Sequence, residues 1–331
     1  MIYKLSDRFR LFALDSCVDY GNEVAKCLGV SLSSHVEKNF EDGETYLRSN
    51  ENVRGSDVYV ISSLYGDESE SVNEKLIKLL FFIGSLRDAS AYKITAIILS
   101  FAYARQDRKV ESRAPISSKY VAGLLQAMSC SHVLTLDVHN LAVLQNSFGL
   151  GCPVDNLECK NLHADWCAKN LGGKKLVVLS PDAGGHQRAE RFRTALYKRV
   201  KSDIGIAILD KLRINGEVHG GRIVGDVDGA DVIIYDDIIS TGSTISKACE
   251  AVKNHGGRVA AVCATHGLFV GNANKHLEKI SGNIVVSDSI RPFRLNATNT
   301  DKLAVVSTSS MVAEAIWRIH SGIGSISELL L

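Results

Sequence analysis

Residues 232–245 read VIIYDDIISTGSTI, and this stretch decides the fold class. Its opening apolar run is short and continuous, which is typical of a central parallel strand that is buried on both faces. Two adjacent acids, Asp236 and Asp237, follow at the carboxyl end of that strand. Open α/β sheets bind ligands at this edge, because loops and helix N-termini converge there. The stretch therefore predicts an α/β sheet with a binding site beside the two acids.

A small loop rich in hydroxyl groups follows the acids and leads into a predicted helix. Backbone N–H groups at the start of a helix attract anions, and the hydroxyls add further hydrogen bonds to a phosphate. Carboxylates would repel phosphate and suit ribose hydroxyls or a magnesium ion instead. We therefore expect a sugar phosphate here, with its sugar beside Asp236 and Asp237. The residues expected to bind its phosphate are Ser240, Thr241, Gly242, Ser243 and Thr244.

Length, charge and cysteine content narrow the class of protein. At 331 residues the chain exceeds the size at which one core usually stops growing, so two domains are expected. A formal net charge of +1 gives no electrostatic reason to expect a nucleic acid or an anionic membrane as partner. The N-terminus lacks the apolar core of a signal peptide, and no apolar run approaches membrane-spanning length. The eight cysteines form no CxxC pairs and have no histidine partners at zinc spacing, so we expect reduced thiols in a soluble, cytoplasmic protein.

Strand-like and helix-like segments alternate from end to end, which is the pattern of an α/β protein. A strand at Val58, a helix with an apolar stripe and a strand at Ile94 form one predicted strand–helix–strand unit. Short irregular sequence around residues 149–153 is the best candidate for a domain boundary. We therefore predict two tandem domains, residues 1–150 and residues 151–331, each a mainly parallel sheet flanked by helices.

Two further strand ends carry groups that bind metal ions. Asp137 and His139 follow one predicted strand and lie on the same face, because side chains of extended chain alternate with a period of two. Asp182 follows another strand and precedes a Gly-Gly turn, where backbone can approach a ligand closely. His139 and Asp182 therefore predict a site for a magnesium–nucleotide complex.

Two basic segments are candidates to bind polyphosphate. One is a loop that contains Arg105, Gln106 and Asp107 together with further cations. In the other, Lys211 and Arg213 lie past a predicted strand and just before a Gly-rich segment that would let the loop move. A mobile cationic flap would stabilise charge in a transition state and exclude water. The sequence lacks a GxxxxGK[ST] motif, so a nucleotide would be held without a Walker loop.

Each of these motifs also has a structural interpretation. The acids and hydroxyls of residues 236–244 could cap a helix, although capping needs fewer polar groups than this loop contains. A lone histidine such as His139 is more often structural, and magnesium sites have no diagnostic ligand spacing. The basic loop is equally typical of a solvated surface. Spacing alone leaves the last two interpretations open.

Together and in this order, the segments closely resemble those of the ribose-phosphate pyrophosphokinase family, which has the phosphoribosyltransferase fold. The resemblance covers essentially the whole chain. Among the motifs that carry it are FEDGE at 40–44, YARQDRK at 103–109, TLDVH at 135–139, SPDAGG at 180–185 and THGLF at 265–269. It implies a magnesium-dependent transferase that moves the β,γ-pyrophosphoryl group of ATP to the anomeric hydroxyl of ribose 5-phosphate, with phosphoribosyl pyrophosphate and AMP as products. It also implies a homo-oligomer, in which identical subunits form dimers and the dimers assemble into hexamers.

The resemblance also implies roles for single residues. Adenine contacts that reach the neighbouring subunit's site fall on Phe40, Asp42 and Glu44. Contacts with the phosphates and ribose of ATP fall on Arg105, Gln106 and Asp107. His139 and Asp182 would bind magnesium, and Lys211 and Arg213 would stabilise charge in the transition state. Asp236 and Asp237 would bind the ribose hydroxyls or a second magnesium, and residues 240–244 would bind the 5-phosphate.

Three residues depart from the family pattern. Ser240 stands where many members have Asp, which resembles archaeal-type synthetases and simple phosphoribosyltransferases and weakens an assignment to the phosphate-activated, ADP-inhibited class. Leu212 interrupts the charged flap motif, and His186 follows the Gly-Gly turn where members have smaller or basic residues.

Two other functions fit parts of the sequence. A non-catalytic, synthetase-associated regulatory subunit would have the same fold, but such relatives typically lose catalytic positions or gain an insertion near the flap. The predicted catalytic and metal positions are all present here. A phosphoribosyltransferase would share the phosphate loop but needs only one such domain, which would leave the N-terminal ATP segments unexplained.

Overall fold

The computed structural model describes residues 3–172, 175–214 and 217–331, and it leaves the side chains of residues 211–220 undescribed. Contacts between residues divide the chain into two compact units. Unit 1 consists of Met1–Glu158 and Thr308–Leu331, and unit 2 is Cys159–Ser307. Among the described residues, no helix combines the length and the apolar character needed to cross a membrane.

Strands and helices alternate through most of both units. The strands are β1 (Phe9–Ala13), β2 (His35–Asn39), β3 (Thr45–Ser49), β4 (Asp57–Ser62), β5 (Lys93–Ile98), β6 (His132–Leu136), β7 (Val154–Leu157), β8 (Leu176–Ser180), β9 (Ile204–Ile214), β10 (Glu217–Val224), β11 (Asp231–Ile239), β12 (Arg258–Gly267), β13 (Asn283–Ser287) and β14 (Leu303–Val306). The helices are α1 (Val18–Leu28), α2 (Val72–Asp88), α3 (Ser117–Ala127), α4 (Leu141–Ser147), α5 (Lys160–Asn170), α6 (His186–Val200), α7 (Ser243–Asn254), α8 (Ala273–Leu277), α9 (Ala297–Thr300) and α10 (Ser309–Ser321).

Unit 1 is built on a parallel sheet with the strand order β1-β4-β5-β6-β7. Consecutive side chains of each strand point to opposite faces, so Leu11 packs with α1 and α10 while Phe12 packs with α2 and α3. Burial of both faces explains why these strands read as continuous apolar runs in the sequence. A separate antiparallel hairpin, β2–β3, packs against α2.

Unit 2 is built on a larger sheet with the strand order β10-β9-β8-β11-β12-β13-β14. Its strands pair in parallel except for the β9–β10 hairpin at one edge. Apolar side chains fill both faces of this sheet, where they pack against the flanking helices. Both units therefore contain a mainly parallel sheet flanked by helices, which confirms the predicted α/β class.

The predicted strand–helix–strand unit is confirmed as β4, α2 and β5. The helix begins at a capping box, in which the Ser71 side chain accepts from the Glu74 N–H and the Glu74 carboxylate accepts from the Ser71 N–H. These two bonds satisfy backbone donors that have no partner inside the helix. The apolar stripe of α2, which includes Leu79 and Ile83, is fully buried.

The boundary between the two units lies after Glu158, whereas the sequence predicts it at residues 150–151. That position precedes β7, which pairs with β6 and completes the sheet of unit 1. The last residues of the chain also belong to unit 1, because Val312 and Ile316 of α10 are buried against the same face of the sheet as α1. The irregular sequence around residues 149–153 therefore marks a loop within unit 1.

A stacked aromatic pair supports the centre of unit 2. The rings of Phe192 on α6 and Tyr235 on β11 lie parallel, with centroids 4.1 Å apart and an interplanar angle of 6°. Both side chains are almost completely buried. Because Tyr235 directly precedes the two acids, this contact also fixes the strand that carries them.

We expect Phe192→Ala to lower the free energy of unfolding of unit 2 by about 3–5 kcal/mol, since it leaves a cavity against Tyr235. Tyr197→Ala on the same helix is the matched control and should cost about 0.5 kcal/mol or less, because Tyr197 is 52% exposed. Urea unfolding is followed by the fluorescence of Trp166, which lies in unit 2, in a Trp317→Phe background. Equal losses in the two variants would contradict the prediction.

Candidate active site

The two acids lie near the end of β11, at the carboxyl edge of the unit 2 sheet. The strand extends to Ile239, further than the sequence predicts, because its pairing with β12 continues to that residue. Its pairing with β8 stops at Ile234. Asp236 and Asp237 therefore lie beyond the end of β8, where loops from neighbouring strands converge.

One guanidinium group contacts both acids. Arg188 Nη1 lies 3.3 Å from Asp236 Oδ1 and 3.2 Å from Asp237 Oδ1, and all three side chains are largely buried. The backbone N–H of Asp237 also donates to Asp236 Oδ1 at 2.9 Å. Burial, and then the charge of Asp237, raise the pKa of Asp236 well above its ordinary value, although Arg188 opposes the shift. The pair therefore favours a ligand that brings positive charge or hydrogen-bond donors.

Arg188 does not belong to any of the motifs that the sequence singles out. It lies in the first turn of α6, the helix that follows β8 and the Gly-Gly turn. The available signal was a cation placed early in a helix that starts at the same sheet edge as the acids. That signal is weak, because basic residues in the first turn of a helix are common on protein surfaces.

The predicted phosphate loop connects β11 to α7, which begins at Ser243. Gly242 adopts φ +75°, a conformation that side chains disfavour, and a Cβ there would approach His276 Cβ to 3.3 Å. The loop is held from outside by His276, whose Nδ1 donates to the carbonyl of Thr241 at 2.8 Å. Glycine is therefore required for the shape of this loop.

Hydrogen-bond donors of the loop after β11 lie beside those of the first turn of α7. Thr241 Oγ1 and Ser243 Oγ lie 3.2 Å apart. The first turn of α7 has N–H groups that cannot be satisfied within the helix, and Gly242 offers no side chain to cap them. Hydroxyls and backbone donors beside a positive helix end are a suitable environment for a phosphate.

Asp182 has a local structural role at the end of β8. Its carboxylate accepts from the backbone N–H of Gly185 at 3.0 Å and caps the short turn that leads into α6. The hydroxyl of Ser180 donates to the carbonyl of Asp182 at 2.6 Å. A Cβ on Gly185 would lie 2.8 Å from Ser180 Oγ, which explains a glycine at this position.

In unit 1, the predicted ATP loop meets the segment that follows β6. Asn140 Nδ2 donates to Asp107 Oδ2 at 2.7 Å, while Asn140 Oδ1 caps α4 by accepting from the backbone N–H of Val143. Asn140 directly follows His139, the metal ligand predicted in this unit. The structure therefore brings two of the predicted regions together through a residue that was not itself predicted.

The neighbouring loop residues differ in their surroundings. The Gln106 side chain accepts from Ser117 Oγ at 2.5 Å, and its carbonyl accepts from Ser118 Oγ at 3.2 Å, so the loop is attached to the start of α3. Arg105 is exposed. An exposed guanidinium on an anchored loop is accessible to an anionic ligand.

The residues predicted to contact adenine lie at the tip of the β2–β3 hairpin. The tip is closed by backbone bonds between Phe40 and Glu44 and between Gly43 and Phe40. Asp42 Oδ1 accepts from the N–H of Glu44 at 3.1 Å. Phe40 is 54% exposed, which is unusual for a large aromatic side chain.

The predicted flap corresponds to the β9–β10 hairpin. The backbone of Lys211 pairs with Gly221, and that of Arg213 pairs with Val218. The side chains of Lys211 and Arg213 lie outside what the structure describes, so their predicted roles remain predictions.

Comparisons with known proteins agree with this architecture. A family model described as the N-terminal domain of ribose phosphate pyrophosphokinase matches residues 9–129, and a phosphoribosyl synthetase-associated domain matches residues 216–330. The chain is 41% identical over 316 residues to a ribose-phosphate pyrophosphokinase of Vibrio cholerae, an alignment that covers 94% of this chain and 96% of the relative. A relative of the same name from Hyphomonas neptunium is 39% identical over 298 residues, with 89% and 91% covered.

A solved structure shows the same fold over nearly the whole chain. It is the phosphoribosylpyrophosphate synthetase from Mycobacterium smegmatis, with a TM-score of 0.85 and 29% sequence identity. The match covers 95% of this chain and 99% of that chain. Both units are therefore present in a relative of known structure, in agreement with the resemblance seen in the sequence motifs. The chain belongs to the ribose-phosphate pyrophosphokinase family.

Proposed function

We propose that the protein is a ribose-phosphate diphosphokinase. It transfers the β,γ-pyrophosphoryl group of Mg-ATP to the anomeric hydroxyl of ribose 5-phosphate and yields phosphoribosyl pyrophosphate and AMP. The observation that carries the proposal is the acid pair Asp236–Asp237 at the sheet edge, followed directly by the loop and the N-terminus of α7. This arrangement offers both ends of a sugar phosphate a suitable environment.

Unit 2 binds the sugar substrate in this proposal. The 5-phosphate accepts hydrogen bonds from Ser240, Thr241, Ser243, Thr244 and the first-turn N–H groups of α7. The ribose hydroxyls donate to Asp236 and Asp237, which compensates the two buried carboxylates that share Arg188. The same ligand thus satisfies an acidic and a phosphate-binding region that would otherwise require different partners.

Unit 1 contributes the contacts with ATP. Arg105, Gln106 and Asp107 contact its phosphates and ribose, on the loop that Ser117 and Asn140 anchor. The adenine contacts belong to the exposed hairpin tip and comprise Phe40, Asp42 and Glu44. An exposed phenylalanine at that tip favours a homo-oligomer built from dimers, up to a hexamer, in which the tip reaches the site of a neighbouring subunit.

Magnesium fits the donor groups that are present. Carboxylate oxygens are the ligands that Mg²⁺ prefers, and the raised pKa of Asp236, caused by burial and the charge of Asp237, indicates that positive charge would be favourable there. We propose His139 of unit 1 and Asp182 of unit 2 as magnesium ligands, and a second magnesium ion is the alternative to the ribose hydroxyls as the partner of Asp236 and Asp237. When bound, the metal neutralises charge on the phosphate oxygens of ATP.

Catalysis in this proposal depends on position and charge. The acceptor is a hydroxyl and the donor is a polyphosphate, so in-line alignment and neutralisation of charge suffice without a protein nucleophile. Lys211 and Arg213 on the β9–β10 hairpin supply positive charge in the transition state. A cytoplasmic location fits the eight cysteines, all of which are free thiols, because reducing compartments keep them so.

The first test mixes the purified protein with ATP, ribose 5-phosphate and magnesium and follows the reaction by phosphorus NMR. We expect AMP and phosphoribosyl pyrophosphate to appear together, and only when the sugar phosphate is present. ATP that stays intact with a folded, magnesium-replete protein would refute the activity and favour the regulatory-subunit alternative.

A glycine substitution tests the phosphate loop. We expect Gly242→Ala to raise the KM for ribose 5-phosphate about tenfold or more, because a left-handed backbone at a residue with a Cβ costs about 1–2 kcal/mol and the new methyl approaches His276. Gly229→Ala is the control, since Gly229 also has positive φ but a Cβ there would meet nothing within 4 Å. The two variants should have similar thermal stability, so similar KM values would contradict a role of the loop in binding.

A lysine substitution tests the hairpin. We expect Lys211→Ala to lower turnover about 100-fold or more while the Kd of ATP changes little, because its charge is matched to the transition state. Arg222→Ala, which removes an exposed cation from the same hairpin, should leave turnover nearly unchanged. Steady-state kinetics and calorimetric titration of ATP provide both quantities. Equal losses in turnover and in ATP affinity would show that Lys211 binds the ground state.

A further inference from the structure

Three side chains of unit 1, away from the residues assigned above, converge in a way that suits a metal ion. His35 Nε2 lies 3.6 Å from Asp15 Oδ1 and 3.6 Å from Glu37 Oε2. One ligand atom from each residue lies within 4.8 Å of the other two. His35 and Glu37 alternate along β2 and so project from the same face, while Asp15 starts the short helical turn after β1.

The imidazole of His35 is held in place but incompletely satisfied. Its side chain is only 9% exposed, and its ring packs against Phe82 with centroids 5.3 Å apart and against Phe12 at 6.3 Å. Within the described part of the chain, His35 Nε2 is buried and has no hydrogen-bond partner. A buried nitrogen that lacks a partner is costly, yet this one faces two carboxylates.

The surrounding charges leave room for a cation. Lys78 Nζ contacts Glu37 Oε1 at 2.8 Å and also pairs with Glu70. Glu37 and Glu70 thus share one ammonium group, and Asp15 adds a third carboxylate to the cluster, so carboxylates outnumber the ammonium group three to one. A divalent ion would balance that charge.

The Glu37 carboxylate is held by two neighbours and still has room for a third. Its Oε1 contacts Lys78 Nζ at 2.8 Å. Its Oε2 accepts from the Asp15 N–H at 3.1 Å and keeps a second lone pair for a further partner.

The distances fit metal coordination better than a hydrogen-bonded ion pair. At 3.6 Å, the contacts of His35 Nε2 are longer than hydrogen bonds between charged groups. Ligand atoms bound tetrahedrally to zinc at about 2.0–2.1 Å lie about 3.4 Å from one another. A small closing movement of the exposed Asp15 side chain would complete that geometry.

We propose that Asp15, His35 and Glu37 bind a divalent transition-metal ion of the Zn²⁺ class. One imidazole nitrogen with two carboxylate oxygens suits zinc better than magnesium or calcium, which prefer oxygen ligands alone. Because Asp15 is 64% exposed, the fourth position opens to water. The ion would link the turn after β1 to the β2–β3 hairpin, which otherwise packs mainly against α2.

The test counts metal ions bound to the metal-free full chain. Zn²⁺ is titrated in competition with a chromophoric chelator, in a large excess of Mg²⁺ that occupies the proposed magnesium sites. We expect the wild type to bind one more Zn²⁺ than His35→Gln. His132→Gln should keep the wild-type stoichiometry, because His132 is also a largely buried imidazole of unit 1 but pairs with Asp155 and, among the described residues, belongs to no comparable cluster of metal-binding side chains. With Co²⁺ in place of Zn²⁺, the same difference should appear as a visible absorption band.

A second variant distinguishes loss of the metal site from misfolding of the buried His35 variant. Asp15→Asn alters an exposed side chain and should lower the Zn²⁺ affinity of this site at least about tenfold while the circular dichroism spectrum stays unchanged. Zn²⁺ should also raise the melting temperature of the wild type and not that of Asp15→Asn. Equal stoichiometry in the wild type, His35→Gln and Asp15→Asn would overturn the proposal. These readouts are independent of catalysis, so their failure would leave the proposed function untouched.

Discussion

Two adjacent buried carboxylates that share one guanidinium are the constraint on which unit 2 depends. Asp236 and Asp237 lie on the part of β11 that extends beyond its pairing with β8, where loops and ligands can reach them. Arg188 must approach from α6, and the stacking of Phe192 on Tyr235 holds that helix against the strand. The contact between α6 and β11 therefore provides both the core packing of unit 2 and the position of the charged site.

The sequence predicted the repeated local patterns well. The apolar run before Asp236 became β11, and the helix expected near Thr244 begins one residue earlier as α7. Both follow from periodicity and from hydroxyl and glycine content, which are local properties. The strand was longer than predicted because β12 continues to pair with it up to Ile239, and such pairing depends on a segment distant in sequence.

Contacts between distant segments account for what the sequence did not predict. Arg188 joins the acid pair from a residue 48 positions earlier, and Asn140 joins Asp107 across 33 positions. The unit division differed from the predicted boundary for the same reason: glycine-rich irregular sequence marks a loop, but only pairing shows to which sheet β7 belongs. The cluster around His35 was not predicted either, because Asp15 joins His35 and Glu37 from the turn after β1, 20 positions before His35.

The return of α10 to unit 1 has a consequence for the order in which the chain folds during synthesis. Unit 2 is continuous in sequence and has all its residues once Ser307 has emerged from the ribosome. Unit 1 begins first but lacks Val312 and Ile316, which pack beside α1 on one face of its sheet, until the segment Thr308–Leu331 has emerged. The N-terminal part of unit 1 must therefore remain with this face covered by α1 alone while unit 2 is synthesised, which makes it the part more exposed to aggregation and chaperone binding.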